Sequence, residues 1–206
     1  MTIVYYDPAL TMREARAQYF AANQFGPDGG YSDPWVNFKL GPVPLPFPNS
    51  ASRVRALRFH DMHHILTGYD TNFVGEIEIA AWELAAGCHN EPFAWFINLA
   101  GIGAFLSSPK RVFRAFVRGL RSQSLYGQDA ESLLSMKVHE VRAKLAVPPS
   151  DLPAATKSEC AQFVIAVSAG TVVGLLAFLV FVPLTPIGIV VLNLRRRAAD
   201  KAALAT

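Results

Sequence analysis

Four residues with metal-binding side chains lie close together in the stretch HDMHHILTGYDTNFVGE: His60, Asp61, His64 and Glu76. If positions 60 to 64 are helical, His60 and His64 are neighbours one turn apart, and Asp61 flanks His64 at i to i+3. Two imidazoles and two carboxylates suit zinc, manganese or ferrous iron and leave room for water or a substrate. By residue type alone, an ordinary helix with solvated carboxylates explains the pattern equally well.

The chain must turn if Glu76 is to meet the histidines. A straight helix would carry Glu76 about 18 Å along its axis from His64. Gly68 suits the position just past a helix end. Three residues beyond it offer N-cap oxygens: Asp70, Thr71 and Asn72. We therefore expect a helix over about 52–67, a tight turn, and a second helix over about 72–87 that folds Glu76 back.

The run RFHDMHHILTGYDTNFVGEIEIAAWE resembles the signature of the ubiquinone (coenzyme Q) biosynthesis protein 4 family, which is His-Asp-x-x-His, eleven residues, then Glu. The segment 110–149 also resembles the end of that family's domain, and the likeness spans roughly residues 10–150. The resemblance implies a divalent metal, with zinc the first choice and iron or manganese the alternatives. Its implied ligands are His60, Asp61, His64 and Glu76.

The same resemblance implies a role in ubiquinone biosynthesis, and two hypotheses follow. In the first, the protein is a metal-dependent, possibly oxidative decarboxylase of a polyprenyl hydroxybenzoate, hence a lyase, with no catalytic residue assigned. In the second, it is a non-catalytic membrane scaffold or prenyl-lipid carrier that organises quinone-biosynthesis enzymes. Expected partners are a prenylated quinone precursor or another isoprenoid lipid, the membrane and other quinone-biosynthesis proteins. Formation of a homo-oligomer is left open.

Other metal-enzyme patterns fit less well. The substring HDMHH also fits the His-x-x-His-His box of membrane desaturases, but that chemistry needs about eight histidines in several boxes. This chain has five, at positions 60, 63, 64, 89 and 139. Metal-dependent phosphohydrolases of the HD type need a histidine upstream of the His-Asp doublet, and none precedes His60. By helical angle, His63 points away from Asp61 and is not expected to share its metal.

The remaining pattern predicts an all-α protein with a single helical domain at 1–150. Helices are expected at about 10–23, 52–67, 72–87, 91–106, 109–123 and 129–146. Residues 24–50 are expected to form a loop, since the alternating prolines of GPVPLPFPNS forbid a helix. No run shows sustained strand alternation, so no sheet is predicted. A linker is expected at 151–160.

The C-terminal part contains a candidate membrane segment at 161–194, which has no charged side chain. Its stretch FVIAVSAGTVVGLLAFLVFV, residues 163–182, is long enough to be a transmembrane helix. Pro183 and Pro186 then interrupt the run, and a basic tail follows at 195–206. Because both flanks favour the cytoplasm, a bent hairpin is expected, with a single tail anchor as the alternative. The N-terminal domain is expected in the cytoplasm, at the inner membrane in the case of a bacterial source.

Charge argues against a nucleic-acid partner. Residues 1–160 contain 15 Lys and Arg and 15 Asp and Glu, so the net charge of +3 comes from the tail. Nucleic-acid binding usually requires a strongly basic face.

Two segments could interact with lipid instead. The arginines of 109–123 could face anionic lipid headgroups or an acidic substrate, or simply be solvated, and segment 91–106 could line a prenyl cavity or be a core helix.

Overall fold

The computed structural model describes residues 5–40, 43–149 and 152–203. Helices dominate this part of the chain and confirm the predicted all-α class. The α-helices are α1 Met12–Asn23, α2 Ala51–Thr67, α3 Phe73–Ala86, α4 Pro92–Ile102, α5 Pro109–Leu120, α6 Ala130–Ser135, α7 Val138–Lys144 and α8 Lys157–Ala203. A short 3-10 helix lies at Phe105–Ser107. Residue 151 of the expected linker and residues 204–206 of the expected tail lie outside the described residues.

A small β-hairpin is the exception, and the prediction that no strand forms is wrong there. β1 (Trp35–Leu40) pairs antiparallel with β2 (Val43–Pro48). β2 has a proline at every second position, so its three missing N–H groups fall on one edge of the strand, which can face away from β1. The prolines that forbid a helix are therefore compatible with an edge strand.

The chain turns between α2 and α3 as predicted. Gly68, at φ 77°, ends α2, and its N–H donates to the His64 carbonyl at 2.9 Å. Asn72 is the N-cap of α3, where its side-chain oxygen accepts a hydrogen bond of 3.0 Å from the Gly75 N–H. Gly75 packs directly on the Asp70 carbonyl, where a Cβ atom would collide. This compact turn brings the first turn of α3 back beside α2.

The helix expected at about 129–146 is instead two helices, α6 and α7, with extended backbone between them. Lys137 forms an isolated β-bridge with Thr11. On either side of that bridge, backbone N–H groups of Met12 and Val138 donate across to the opposite segment at 2.8 and 2.9 Å. These tertiary bonds replace helical ones, and local sequence preference does not reveal them.

A close crossing of α3 and α5 fixes the position of α3 in the core. At Gly119 of α5, a Cβ atom would collide with the Trp82 carbonyl of α3. The Trp82 side chain itself is fully buried, as are Met62 and Leu66 of α2. Because Gly119 lets the backbones of α3 and α5 approach closely, α3 is packed against α5 on one side and α2 on the other. Its inward face can therefore carry side chains with defined positions.

Arginines in α5 and just after it make contacts within the protein. Arg111 pairs with Glu78 of α3, with Nε 3.0 Å from a carboxylate oxygen, and Arg121 pairs with Glu159 of α8 at 2.7 Å. Arg118 is buried and donates to two backbone carbonyls, the nearer at 2.8 Å. These three side chains therefore stabilise the domain, and neither the lipid-headgroup interpretation nor the solvated one describes them.

The C-terminal segment is one continuous helix, α8, which runs through Pro183 and Pro186. The expected bent hairpin is therefore not formed, and the segment is a single long helix. Within the described residues, α8 is the one helix long and apolar enough to cross a membrane by length and composition. Only 6% of the residues in its most apolar stretch are buried, unlike the core helix of a soluble protein.

α4 lies between the domain and α8. Its buried residues are Ala94, Asn98 and Ile102, so it is not a central core helix. Just beyond its C-terminus, Gly103 packs against α8, where a Cβ atom would be 2.9 Å from the Gly170 carbonyl oxygen. Gly103 thus permits close packing of α4 against α8.

Gly75→Ala tests the turn that places Glu76. At an unconstrained helical position this change would stabilise the protein by up to about 1 kcal/mol. Here we expect a loss of roughly 1–3 kcal/mol in unfolding free energy, because the methyl group would collide with the Asp70 carbonyl. Urea denaturation measures the change. The control is Gly174→Ala, whose Cβ atom would lie 3.4 Å from the Ala100 carbonyl oxygen. Equal stability of the two variants would contradict the close packing.

Candidate metal centre

Three of the four predicted ligands converge on one point. His60 and His64 lie one turn apart on α2, and Glu76 lies in the first turn of α3. One ligand atom from each of these residues lies within 4.8 Å of the other two, so the group could hold a metal ion. The α2–α3 turn therefore assembles the site, as the spacing of the motif suggested.

The separations between the ligand atoms fit a small divalent cation. The two histidine Nε2 atoms are 3.1 Å apart, and the Glu76 carboxylate oxygens lie 3.4 Å from that of His60 and 3.5 Å from that of His64. Ligand atoms bound about 2.05 Å from one ion are about 3.3 Å apart in a tetrahedral site and about 2.9 Å apart in an octahedral one. All three separations are close to these values.

The hydrogen bonds of the two imidazoles determine which nitrogens face this point. Nδ1 of His60 lies 3.1 Å from a Glu83 carboxylate oxygen, and Nδ1 of His64 lies 3.0 Å from the Tyr69 carbonyl oxygen. An ionised carboxylate and a carbonyl only accept, so both Nδ1 atoms carry hydrogen. In neutral imidazoles, the two Nε2 lone pairs then face each other. A cation between them removes this repulsion.

The charges around the site act in the same direction. Burial tends to lower the pKa of His60, but Glu83 and Glu76 outweigh it and raise that pKa well above its ordinary value. Burial tends to raise the pKa of Glu76, but His64 and His60 lower it to about 2. The site therefore holds an ionised carboxylate and favours positive charge beside it, which a proton or a metal ion can supply.

Glu83 is the functional residue that the motif does not include. It lies two turns after Glu76 on α3, and its side chain is fully buried. Besides His60, it accepts hydrogen bonds from His63 Nδ1 at 2.8 Å, Asn98 Nδ2 at 2.7 Å and the Tyr126 hydroxyl at 2.8 Å. Burial tends to raise the pKa of Glu83, but the histidines lower it well below its usual value. The sequence feature that could have pointed to Glu83 is its position seven residues, about two helical turns, after Glu76.

Asp61 lies outside the group of three ligands. Its buried carboxylate accepts a hydrogen bond of 2.6 Å from the Tyr31 hydroxyl. Burial raises the pKa of Asp61, although His60 and Tyr31 oppose the shift. The structure therefore brings together His60, His64 and Glu76, and it places Asp61 beside them as the partner of a tyrosine from the loop before β1.

His63 occupies a separate structural position, as its helical angle suggested. Its Nδ1 donates to Glu83, and its Nε2 accepts a hydrogen bond of 2.9 Å from the Leu125 backbone N–H. Both ring nitrogens are thus satisfied in the neutral form, and burial lowers the pKa of His63. His63 therefore links α2 to the segment after α5 and leaves no lone pair for a metal.

The site is open on one side and has an aromatic wall on another. The Glu76 side chain is 44% exposed, while that of His64 is 1% exposed. Tyr19 of α1 stacks on the His64 ring at 5.8 Å between centroids. A cavity of about 100 Å³ adjoins His64 and is lined by Tyr6, Tyr19, Ala22, Asn23, Tyr69, Asp70 and Thr71. Three protein ligands with an open side are typical of catalytic metal sites.

Comparison of the chain with protein-family models, with curated proteins and with solved structures gives no match. The features that bear on function are therefore those of the chain itself. They are three convergent ligand side chains, an ionised carboxylate behind them, and a long apolar helix on the same domain.

Metal analysis of purified variants tests the ligand set. We expect the protein to carry about one divalent ion per chain, and His64→Ala and Glu76→Gln to lose it, because each removes one of three ligands. Asp61→Asn should retain the ion, because Asp61 bonds Tyr31. The matched control is Glu131→Gln, an exposed carboxylate that pairs with Arg13 and does not belong to the group of ligand side chains. If Asp61→Asn loses the ion while circular dichroism shows an intact fold, Asp61 is a metal ligand after all.

Glu83→Gln tests the carboxylate that orients His60. The neutral amide cannot hold both Nδ1–H groups as the ionised carboxylate does, so we expect metal affinity to fall by roughly 10- to 100-fold. Competition with a chromogenic chelator measures the affinity. Tyr126→Phe is the control, because it removes a hydrogen bond to the other Glu83 oxygen without touching His60. Equal affinity of Glu83→Gln and wild type would show that Glu83 only stabilises the core.

Proposed function

We propose that this chain is a membrane-attached metal protein of ubiquinone biosynthesis that binds a prenylated aromatic acid. The supporting observation is the convergence of His60, His64 and Glu76, which are three of the four positions through which the sequence resembles the biosynthesis protein 4 family. The open side at Glu76 gives a ligand access to the site. The pathway is inferred from the family resemblance, and the metal site is inferred from the three converging side chains.

Zinc is the proposed ion, with iron and manganese as alternatives. Two imidazoles and one carboxylate with an open position match catalytic zinc sites, and the same set also forms the facial triad of non-haem iron enzymes. The hydrogen bonds from Nδ1 of His60 and His64 fix both rings with Nε2 toward the ion. These two residues and Glu76 would hold the ion, and the remaining position would be open to water or substrate.

The proposed reaction is removal of the ring carboxylate. When bound, the metal supplies a Lewis acid for the ring hydroxyl and carboxylate of the substrate. In the non-oxidative form, the bond between ring carbon and carboxylate breaks, its electron pair stays on the ring, and a solvent proton replaces carbon dioxide. The oxidative form needs dioxygen and a two-electron donor, and yields a ring hydroxyl, carbon dioxide and water. Tyr19 and Tyr69 would border the ring in the cavity beside His64.

A second function is a non-catalytic prenyl-lipid carrier or scaffold for quinone-biosynthesis enzymes, with the metal structural. The size of the cavity beside His64 favours it, since about 100 Å³ holds little more than a few waters or part of a ring. The exposed apolar face of α8 offers a surface for an isoprenoid chain. In this function, the bound metal would stabilise the domain, and the protein would catalyse no reaction.

Glu76→Gln separates the two functions in cells that depend on this protein for quinone synthesis. If the site is catalytic, we expect precursors that retain the carboxylate to accumulate and the quinone to fall by roughly tenfold or more, because a ligand is lost. Lipid extracts analysed by mass spectrometry measure both. Glu131→Gln is the matched control. Unchanged precursor turnover in Glu76→Gln, with the protein present in normal amounts at the membrane, would rule out the enzyme.

A further inference from the structure

α8 packs along one side of the domain over most of its apolar length. Near its start, Phe163 packs on the rings of Phe113 and Phe116 of α5, with centroids 5.1 and 5.4 Å apart. Further along, Gly170 lies against Leu99 and Ile102 of α4, and Phe181 meets Phe96 at 6.2 Å. Gly188 then packs on Pro46 of β2. The domain therefore covers one stripe of α8 from 163 to 188.

The length of this contact does not suit a crossing helix. At about 1.5 Å per residue, residues 163–188 extend about 38 Å, which exceeds the roughly 30 Å of a bilayer's hydrocarbon core. If α8 crossed the bilayer, the domain beside it would have to cross as well. The α4 N-terminus, next to the exposed residues His89 and Asn90, lies at the Phe181 end, whereas the Arg121–Glu159 pair lies at the other end. Polar groups thus flank both ends of the contact.

The outward face of α8 is apolar along the same length. Its large exposed side chains include Ile165, Leu176 and Ile187, which are 68%, 57% and 61% exposed. α4 extends this surface with three neighbouring exposed residues: Trp95, Phe96 and Ile97. Residues 92–109, like 161–194, contain no charged side chain. The two helices therefore present one continuous uncharged surface on one side of the domain.

We propose that α8 lies in the plane of one membrane leaflet, with the domain on the aqueous side and α4 in contact with the same leaflet. The proposal rests on the membrane attachment proposed above and specifies its geometry. A helix at the interface needs an apolar face toward the acyl chains, while its other face is free to carry protein. Here that other face carries the domain, and the absence of a Cβ atom at Gly170 and Gly188 lets the domain approach closely.

A lipid leaflet covers this surface better than a second copy of the chain does. Exposed apolar side chains of α8 point in most directions that the domain leaves free, and a helix–helix contact would bury one further stripe of them. Trp95 is of a side-chain type enriched at membrane interfaces. Four basic residues follow the apolar run, at 195–197 and 201, where anionic headgroups would attract them.

The orientation connects the membrane surface to the metal centre. Asn98 is on α4, and its amide donates to Glu83 at 2.7 Å. Glu83 in turn holds Nδ1 of His60 at 3.1 Å. The helix that contacts lipid is therefore one hydrogen bond from the carboxylate that orients a metal ligand. A prenylated substrate in the same leaflet would approach the domain from this side.

Depth measurements along α8 test the proposal. Spin labels are attached at single cysteines replacing Ile165, Leu176 or Ile187, in a Cys160→Ser background where the remaining Cys88 is buried. These positions are eleven residues apart and therefore share one helix face. In liposomes of mixed zwitterionic and anionic phospholipids, oxygen and a nickel chelate report the depth of each label. We expect similar depths at all three positions, because the helix lies flat, and an aqueous label at Glu131→Cys, the control.

Several results would overturn the proposal. A label at Leu176 deep in the bilayer, with shallow labels at Ile165 and Ile187, would mean that α8 crosses; protection of a C-terminal tag on the side opposite the domain would mean the same. Labels shielded from lipid, with cysteine cross-links between α8 helices, would assign the surface to a second copy. If the protein does not sediment with liposomes, it does not attach to the membrane, and that part of the proposed function is also wrong.

Discussion

The Nδ1 atoms of His60 and His64 both have fixed hydrogen-bond acceptors, and this determines where the remaining lone pairs point. The Glu83 carboxylate accepts a hydrogen bond from Nδ1 of His60, and the Tyr69 carbonyl accepts one from Nδ1 of His64. The two Nε2 atoms are then 3.1 Å apart with the Glu76 carboxylate beside them. Without a cation, two lone pairs and a negative charge would share this space. Positive charge at this centre, from a proton or a metal ion, would relieve that repulsion, and the separations of the three side chains fit a divalent ion.

Much of the fold serves to keep these groups in place. The turn at Gly68 and Gly75 returns α3 beside α2, and it also supplies the Tyr69 carbonyl. The crossing at Gly119 fixes α3, from which Glu83 reaches His60. α4 packs on α8 and donates to Glu83 through its amide side chain. The apolar surface and the metal centre therefore belong to one packed unit.

The sequence predicts the parts of this unit that local pattern controls. Helix periodicity, Gly68 and the Asn72 cap were enough to foresee the α2–α3 turn and the approach of Glu76 to the histidines. Long-range pairing was not visible. The hairpin at 35–48, the bridge at Lys137 and the unbroken course of α8 depend on neighbours distant in sequence. The roles of Glu83 and of Asp61 likewise depend on Tyr126, Asn98 and Tyr31, which no spacing rule connects to the motif.

The most direct test of the metal centre is a crystal structure with diffraction data collected on both sides of the absorption edge of the bound metal. We expect a single anomalous peak between Nε2 of His60, Nε2 of His64 and the Glu76 carboxylate, about 2.0–2.2 Å from each. Its disappearance below the edge would identify the element. Absence of a peak from protein purified without chelator, and crystallised with zinc or ferrous iron, would contradict the metal centre. A peak coordinated by Asp61 without Glu76 would also contradict it.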